Sequence, residues 1–164
     1  MAKPTDERET PDSLFAVLDA QFDFDLDVCA TRENAKCYPY LGPESVIAED
    51  AISLDAPWSD FGSCAWMNCP YSEIPRWLTR AVYEVVQVPG FRVVCLLPSN
   101  TSALWWQDSI WKGPELTRFH PWVERRNSTF WRSRITFAPQ TTGAMWPSVV
   151  VSLYVDPRDT RGTP

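Results

Sequence analysis

The chain has 164 residues, 45% apolar and 13% aromatic, enough to bury the core of one folded domain and too apolar for a wholly disordered chain. It has a net charge of −6 and no run of about 18 or more apolar residues, which excludes a membrane-spanning helix. Cys29, Cys37, Cys64, Cys69 and Cys95 show no C-x-x-C spacing and His120 is the single histidine, so no zinc site is expected and the thiols read as reduced, in a cytoplasm.

Residues 1–9 are polar and lack the apolar core of a signal peptide; they are expected to be a flexible leader. Thr10-Pro11 has the form of a helix cap followed by proline at the first helical position, and Leu14, Phe15, Leu18 and Phe22 give an apolar stripe to about residue 22. Phe24, Leu26 and Val28 alternate with Asp25 and Asp27, a strand pattern that runs into Cys29-Ala30-Thr31 and Asn34. A short strand is expected near 46–48, and Cys64–Met67 reads as a buried strand ending at Asn68-Cys69-Pro70-Tyr71. Ser72 is positioned to cap a helix whose apolar residues Ile74, Trp77, Leu78, Ala81, Val82, Val85 and Val86 recur at helical spacing as far as Pro89-Gly90. Phe91–Leu97 has the form of a central parallel strand, a second helix is expected over about 101–111, and 115–119, 134–138 and 148–155 read as further strands. A single domain over 10–156, with a flexible tail at 157–164, accounts for this order.

Strand–helix–strand–helix order predicts an α/β fold, a mainly parallel sheet covered on both faces. In such sheets ligands bind outside the carboxyl ends of the strands. Asp27–Ala30 and Asn68–Tyr71 both fall at such ends. Charge is unevenly spread: residues 1–60 hold 14 acidic and 4 basic side chains, residues 61–164 hold 7 and 11. Arg118, Arg125, Arg126, Arg132 and Arg134 cluster in the second part and are candidates for contact with nucleic-acid phosphates, although a solvated arginine face has the same composition.

Asn68-Cys69-Pro70-Tyr71 resembles the turn of the amino-methyltransferases, in which Asn or Asp is followed by Pro, Pro and an aromatic residue. The chemistry accounts for these residue types. An exocyclic amine is a poor nucleophile because its lone pair is delocalised into the base. A side-chain oxygen and a main-chain carbonyl that accept its two N–H groups favour the pyramidal, reactive nitrogen, while the aromatic ring stacks on a base drawn out of the duplex. Cys69 stands where the first proline is usual, but its main-chain carbonyl is retained.

Over roughly residues 10–155 the chain is similar to the phage-type DNA N6-adenine methyltransferase (Dam-like) family. The resemblance rests on Thr10-Pro11, Leu26-Asp27-Val28-Cys29-Ala30 with Asn34, Asp50-Ala51 before Trp58, Asn68–Tyr71 with Trp77, Leu96-Leu97-Pro98, and Ser133-Arg134-Ile135-Thr136-Phe137, where Ser133 replaces a usual glycine. It implies a compact Rossmann-like methyltransferase domain with a sheet trimmed from seven strands, and S-adenosylmethionine as methyl donor. It implies double-stranded DNA as partner, a metal-free reaction, and the cytoplasm of a bacterial host as the place of action. Thr10, Pro11, Asp27, Ala30 and Asp50 would border the donor, and Asn68, Cys69, Pro70 and Tyr71 would hold the target adenine. Two alternatives stay open: an inactive relative that binds DNA or the donor without turnover, and an RNA or cytosine-N4 amino-methyltransferase.

Overall fold

The computed structural model describes residues 9–111, 128–130 and 147–158. Helix α1 (Asp12–Phe22) begins after Pro11, not at it: Pro11 has an extended ψ of 137°, and its carbonyl accepts the amides of Leu14 and Phe15 at 3.0 Å. Thr10 therefore does not cap the helix, and its side chain is used elsewhere. At the other end Asp23 turns the chain in a left-handed conformation (φ 56°), its amide bonded to Asp19, whose carboxylate accepts the Phe24 amide at 2.9 Å.

Five strands are present among the described residues: β1 (Leu26–Asp27), β2 (Cys64–Met67), β3 (Arg92–Pro98), β4 (Ser128–Phe130) and β5 (Ser148–Tyr154), in the spatial order β1-β2-β3-β5-β4. The first three are mutually parallel, as expected. β5 lies antiparallel between β3 and β4, so the sheet is mixed, with four strands pointing one way and β5 against them. Helix α2 (Ile74–Gln87) connects β2 to β3.

Strand alternation sorts the core into two layers. Cys64, Trp66, Val94, Leu96 and Val150 face α1, packing with Leu14, Leu18 and Phe24. Their neighbours Ala65, Met67, Val93, Cys95, Leu97, Val149 and Val151 face α2, against Ile74, Trp77, Leu78, Ala81 and Val85. Both faces of β2 and β3 are thus buried, which is why these strands are continuous apolar runs.

Several local expectations are corrected. Ser72 does not cap α2: residues Tyr71–Glu73 form a single 3-10 turn, and the helix follows with Glu73 at its cap and Pro75 in its first turn. No strand forms at 46–48, where the backbone bonds within a closed turn. The helix expected over 101–111 is one α-turn, α3 (Leu104–Trp106), running into a π-helical turn Gln107–Trp111. The strands expected at 115–119 and 134–138 lie outside the described residues.

Arg80 and Glu84, one turn apart on α2, form an ion pair that is almost fully buried, at 3% and 2% side-chain exposure. Arg80 also donates to the Ala56 carbonyl at 3.0 Å and Glu84 accepts the Trp58 amide at 3.0 Å. The Trp58 indole in turn donates to the Ala51 carbonyl at 2.7 Å. One buried pair thereby ties the loop over 51–58 to the helix. Removing one partner leaves a charge with no counterion inside the fold, so Glu84→Ala is expected to lower stability by about 3–5 kcal/mol in urea titrations, while Arg80→Met combined with Glu84→Leu loses clearly less.

Candidate functional site

Parallel pairing brings the carboxyl ends of β1, β2 and β3 to one edge, with β2 in the middle. Asn68 follows β2 directly, and its side-chain amide donates to the Thr10 hydroxyl at 3.1 Å. Thr10 is 3% exposed and arrives from the segment before α1, 58 residues away in sequence. Pro11 is its chain neighbour, half-buried. Cys69 is buried in the core layer under α2, and Tyr71 is half-buried against the same layer. The Pro70 carbonyl accepts the Glu73 amide at 3.0 Å, which closes the 3-10 turn and fixes the direction in which Asn68–Tyr71 leaves the strand.

The loop after β1 is organised by Asp27, which is 2% exposed. Its two carboxylate oxygens accept the amides of Cys29 (3.1 Å) and Lys36 (3.0 Å). Its main chain is bonded on the outer side to Pro39 and Leu41, and Ala30 donates to the Leu41 carbonyl at 3.1 Å. Residues 39–41 thus run parallel beside the end of β1, in a bridge that pairs Asp27 with Tyr40. Gly42 (φ 136°) then passes so close to Ala30 that a Cβ there would lie 2.2 Å from the Ala30 carbonyl oxygen. Asn34 accepts the Thr31 amide at 2.7 Å, a local turn cap.

Thr10, Asp27, Ala30 and Asn68–Tyr71 are therefore gathered at the ends of two adjacent strands. Asp50 stands apart: it is exposed, accepts the Ile52 amide at 2.9 Å and lies 3.9 Å from Arg76. Arg118, Arg125, Arg126, Arg132 and Arg134 lie outside the described residues. Lys36 was not anticipated: its amide holds Asp27 while its ammonium pairs with Asp12 on α1 at 2.6 Å. Nor was the pair Arg80–Glu84, though its i,i+4 spacing is visible in the sequence.

Burial pushes the Asp27 carboxyl up to about 6, against the opposing pull of the Lys36 and Cys29 amides and the Lys36 charge. Burial likewise pushes the Cys29 thiol well above its ordinary value, helped by the neighbouring Cys69, Asp27 and Glu73. Cys29 is therefore a neutral thiol near neutral pH. Among the described residues no group of three metal-ligating side chains forms and no helix is long and apolar enough to cross a membrane.

Residues 2–149 match the family model of the DNA N-6-adenine-methyltransferases (Dam). The chain belongs to that family. It is similar to the DNA N-6-adenine-methyltransferase of Haemophilus phage HP1 (strain HP1c1), with 32% identity over 93 residues, 57% of this chain and 49% of the phage protein. The chain spans about half the length of this curated relative. The family match takes in Thr10, Asp27, Ala30, Asp50 and Asn68–Tyr71.

The Asp27 environment predicts a pH dependence for this family member. Between the ordinary aspartate value of 3.8 and about 6 the folded protein holds a proton that the unfolded chain has released. Stability from this group is therefore highest below about pH 4, falls by roughly 3 kcal/mol as pH rises to 6, and is level above. Urea titrations at pH 4, 5, 6 and 7 are expected to show this decline in the wild type relative to Asp27→Asn, which has no carboxyl to ionise there.

Proposed function

We propose that the protein transfers a methyl group from S-adenosylmethionine to N6 of an adenine in double-stranded DNA, in the cytoplasm of a phage's bacterial host. The observation that carries this reading is the placement of Asn68-Cys69-Pro70-Tyr71 at the carboxyl end of the middle strand of three parallel ones, in direct hydrogen-bond contact with buried Thr10 and beside the Asp27–Ala30 turn. The overall arrangement is then a Rossmann-like methyltransferase sheet of fewer than seven strands.

The residues at this edge fit the donor. A buried hydroxyl (Thr10) and a buried carboxylate (Asp27) lie at these strand ends, and Ala30 and Gly42 keep the adjoining backbone free of bulk. Thr10, Pro11, Asp27 and Ala30 would hold the donor, with exposed Asp50 at its adenine end. Both Asp27 oxygens already accept backbone amides, so Asp27 acts mainly by shaping the turn. When bound, the donor supplies an electrophilic methyl on a sulfonium, and the reaction needs no covalent enzyme intermediate.

The chain's own work is to present the amine. Asn68 Oδ1 and the Cys69 main-chain carbonyl accept the two N6–H groups, and the Tyr71 ring stacks on the base after it leaves the duplex. The Thr10 hydroxyl accepts from Asn68 Nδ2 and so steadies the side-chain amide whose Oδ1 is the acceptor in this reading. Much of the acceleration comes from holding nitrogen and methyl at attack distance. The arginines at 118, 125, 126, 132 and 134 would meet the phosphates.

Purified protein, labelled S-adenosylmethionine and unmethylated duplex, followed by nucleoside digestion and mass spectrometry, test the reading. N6-methyladenine is the expected product. N4-methylcytosine would change the base, methylated nucleosides from RNA alone would change the polymer, and donor binding without any methylated product would leave a binding protein. Asn68→Ala is expected to cut transfer about a hundredfold or more while the donor dissociation constant moves less than about threefold. Equal loss of both would assign Asn68 to the donor instead. Cys69→Pro, which keeps the carbonyl, is expected to retain transfer; abolition would show that the thiol itself is required.

A further inference from the structure

Two large apolar side chains at the carboxyl edge contribute nothing to the core: Val46 is fully exposed (102%) and Leu104 is 80% exposed. The segments that present them are tightly built. Val46 sits in a turn that leaves the edge at Gly42, level with Ala30, and is closed by the bond from the Gly42 amide to the Ala48 carbonyl at 2.9 Å. Inside this turn the Ser45 hydroxyl donates to the Tyr40 carbonyl at 2.7 Å and accepts the Ile47 amide at 3.1 Å. The valine is held at a bonded tip without any packing of its own.

Leu104 stands on the other side. β3 ends at Pro98, Ser99 bonds to the Pro147 carbonyl at 2.7 Å, and the Ala103 amide donates to the Asn100 carbonyl at 3.1 Å. Leu104 opens α3, which is anchored by the buried Trp106. In the sheet the order is β1, β2, β3, so the β1-side turn and the β3-side turn flank Asn68–Tyr71 at the end of β2. Exposed Tyr38 is placed differently: residues 39–41 run parallel to β1, which sets Tyr38 back from this edge, with its ring against Tyr40.

Drawing an adenine out of a duplex breaks its stacking and leaves a void, and proteins that open base steps fill the void with apolar wedges. A wedge must be exposed before contact, rigid, and close to the pocket that takes the base. Val46 and Leu104 are exposed, stand on hydrogen-bonded turns and belong to segments that leave the sheet on either side of β2, and their branched side chains lose little rotamer freedom on insertion. We propose that Val46 and Leu104 are positioning residues, apolar prongs that enter the duplex on either side of the target adenine and hold open the gap it leaves. This rests on the reading that the protein methylates adenine in duplex DNA.

The test compares two substrates for the full chain: a duplex carrying the methylated site, and the same duplex with an abasic position opposite the target adenine. Val46→Ser and Leu104→Ser are each expected to lower kcat/KM about tenfold on the paired duplex and less than about twofold on the abasic one, because the latter needs little opening. Val46→Ile and Leu104→Met should restore the paired-duplex rate. Both side chains are exposed, so thermal melting of the serine variants should match the wild type. Unchanged rates on the paired duplex, or equal losses on both substrates, overturn the prongs alone. If the wild type methylates neither duplex, the functional reading falls and the prongs with it.

Discussion

A buried carboxylate with a backbone amide on each oxygen is the interaction from which the candidate site is built. Asp27 holds Cys29 and Lys36 to the end of β1, and its own main chain holds Pro39 and Leu41. These bonds fold the 29–41 segment back along the sheet edge and bring Gly42 against Ala30. Without them four backbone groups of buried or half-buried residues would lack partners, and a loop of this length would have no reason to take one shape. Its cost is visible in the raised carboxyl pKa: the fold pays to keep a charge there because the amides need an acceptor.

The second constraint is the sheet. β2 has four residues and all are buried, so α1 must cover one face and α2 the other, and a shift of one residue would exchange Trp66 with Ala65 or Met67. That register places Asn68 at the edge rather than within the strand. α1 contributes twice, through its apolar stripe on Trp66 and through the preceding Thr10, whose hydroxyl steadies Asn68. The Arg80–Glu84 pair performs a similar service on the opposite face, fastening the 51–58 loop to α2.

Membership of the DNA N-6-adenine-methyltransferase family and the geometry of the strand ends converge on the same few residues. The replacement of proline by Cys69 is accommodated: the side chain is buried in the core layer and the turn is closed by the Pro70–Glu73 bond. Asp50 is placed less tightly than Thr10 or Asp27. Its exposed carboxylate is bound by the Ile52 amide and lies beside Arg76, so any part in donor binding falls at the rim of the site.

The helix stripe on α2, the apolar runs of β2, β3 and β5, and the position of Asn68–Tyr71 at a strand end were legible because they depend on local periodicity and on residue type. So was the family, since its short motifs keep their order along the chain. The sequence by itself also placed Asp27 and Ala30 at the carboxyl end of the first strand. It could not show that both Asp27 oxygens face inward, that Thr10 serves Asn68 rather than capping α1, or that Ser72 yields the cap of α2 to a 3-10 turn. Those outcomes rest on partners tens of residues apart, and a polar side chain has similar local options in many places until the fold decides which donor or acceptor lies within reach. The antiparallel placement of β5 between β3 and β4 has the same origin: strand order is chosen by which faces and edges remain to be covered, a choice no local pattern carries.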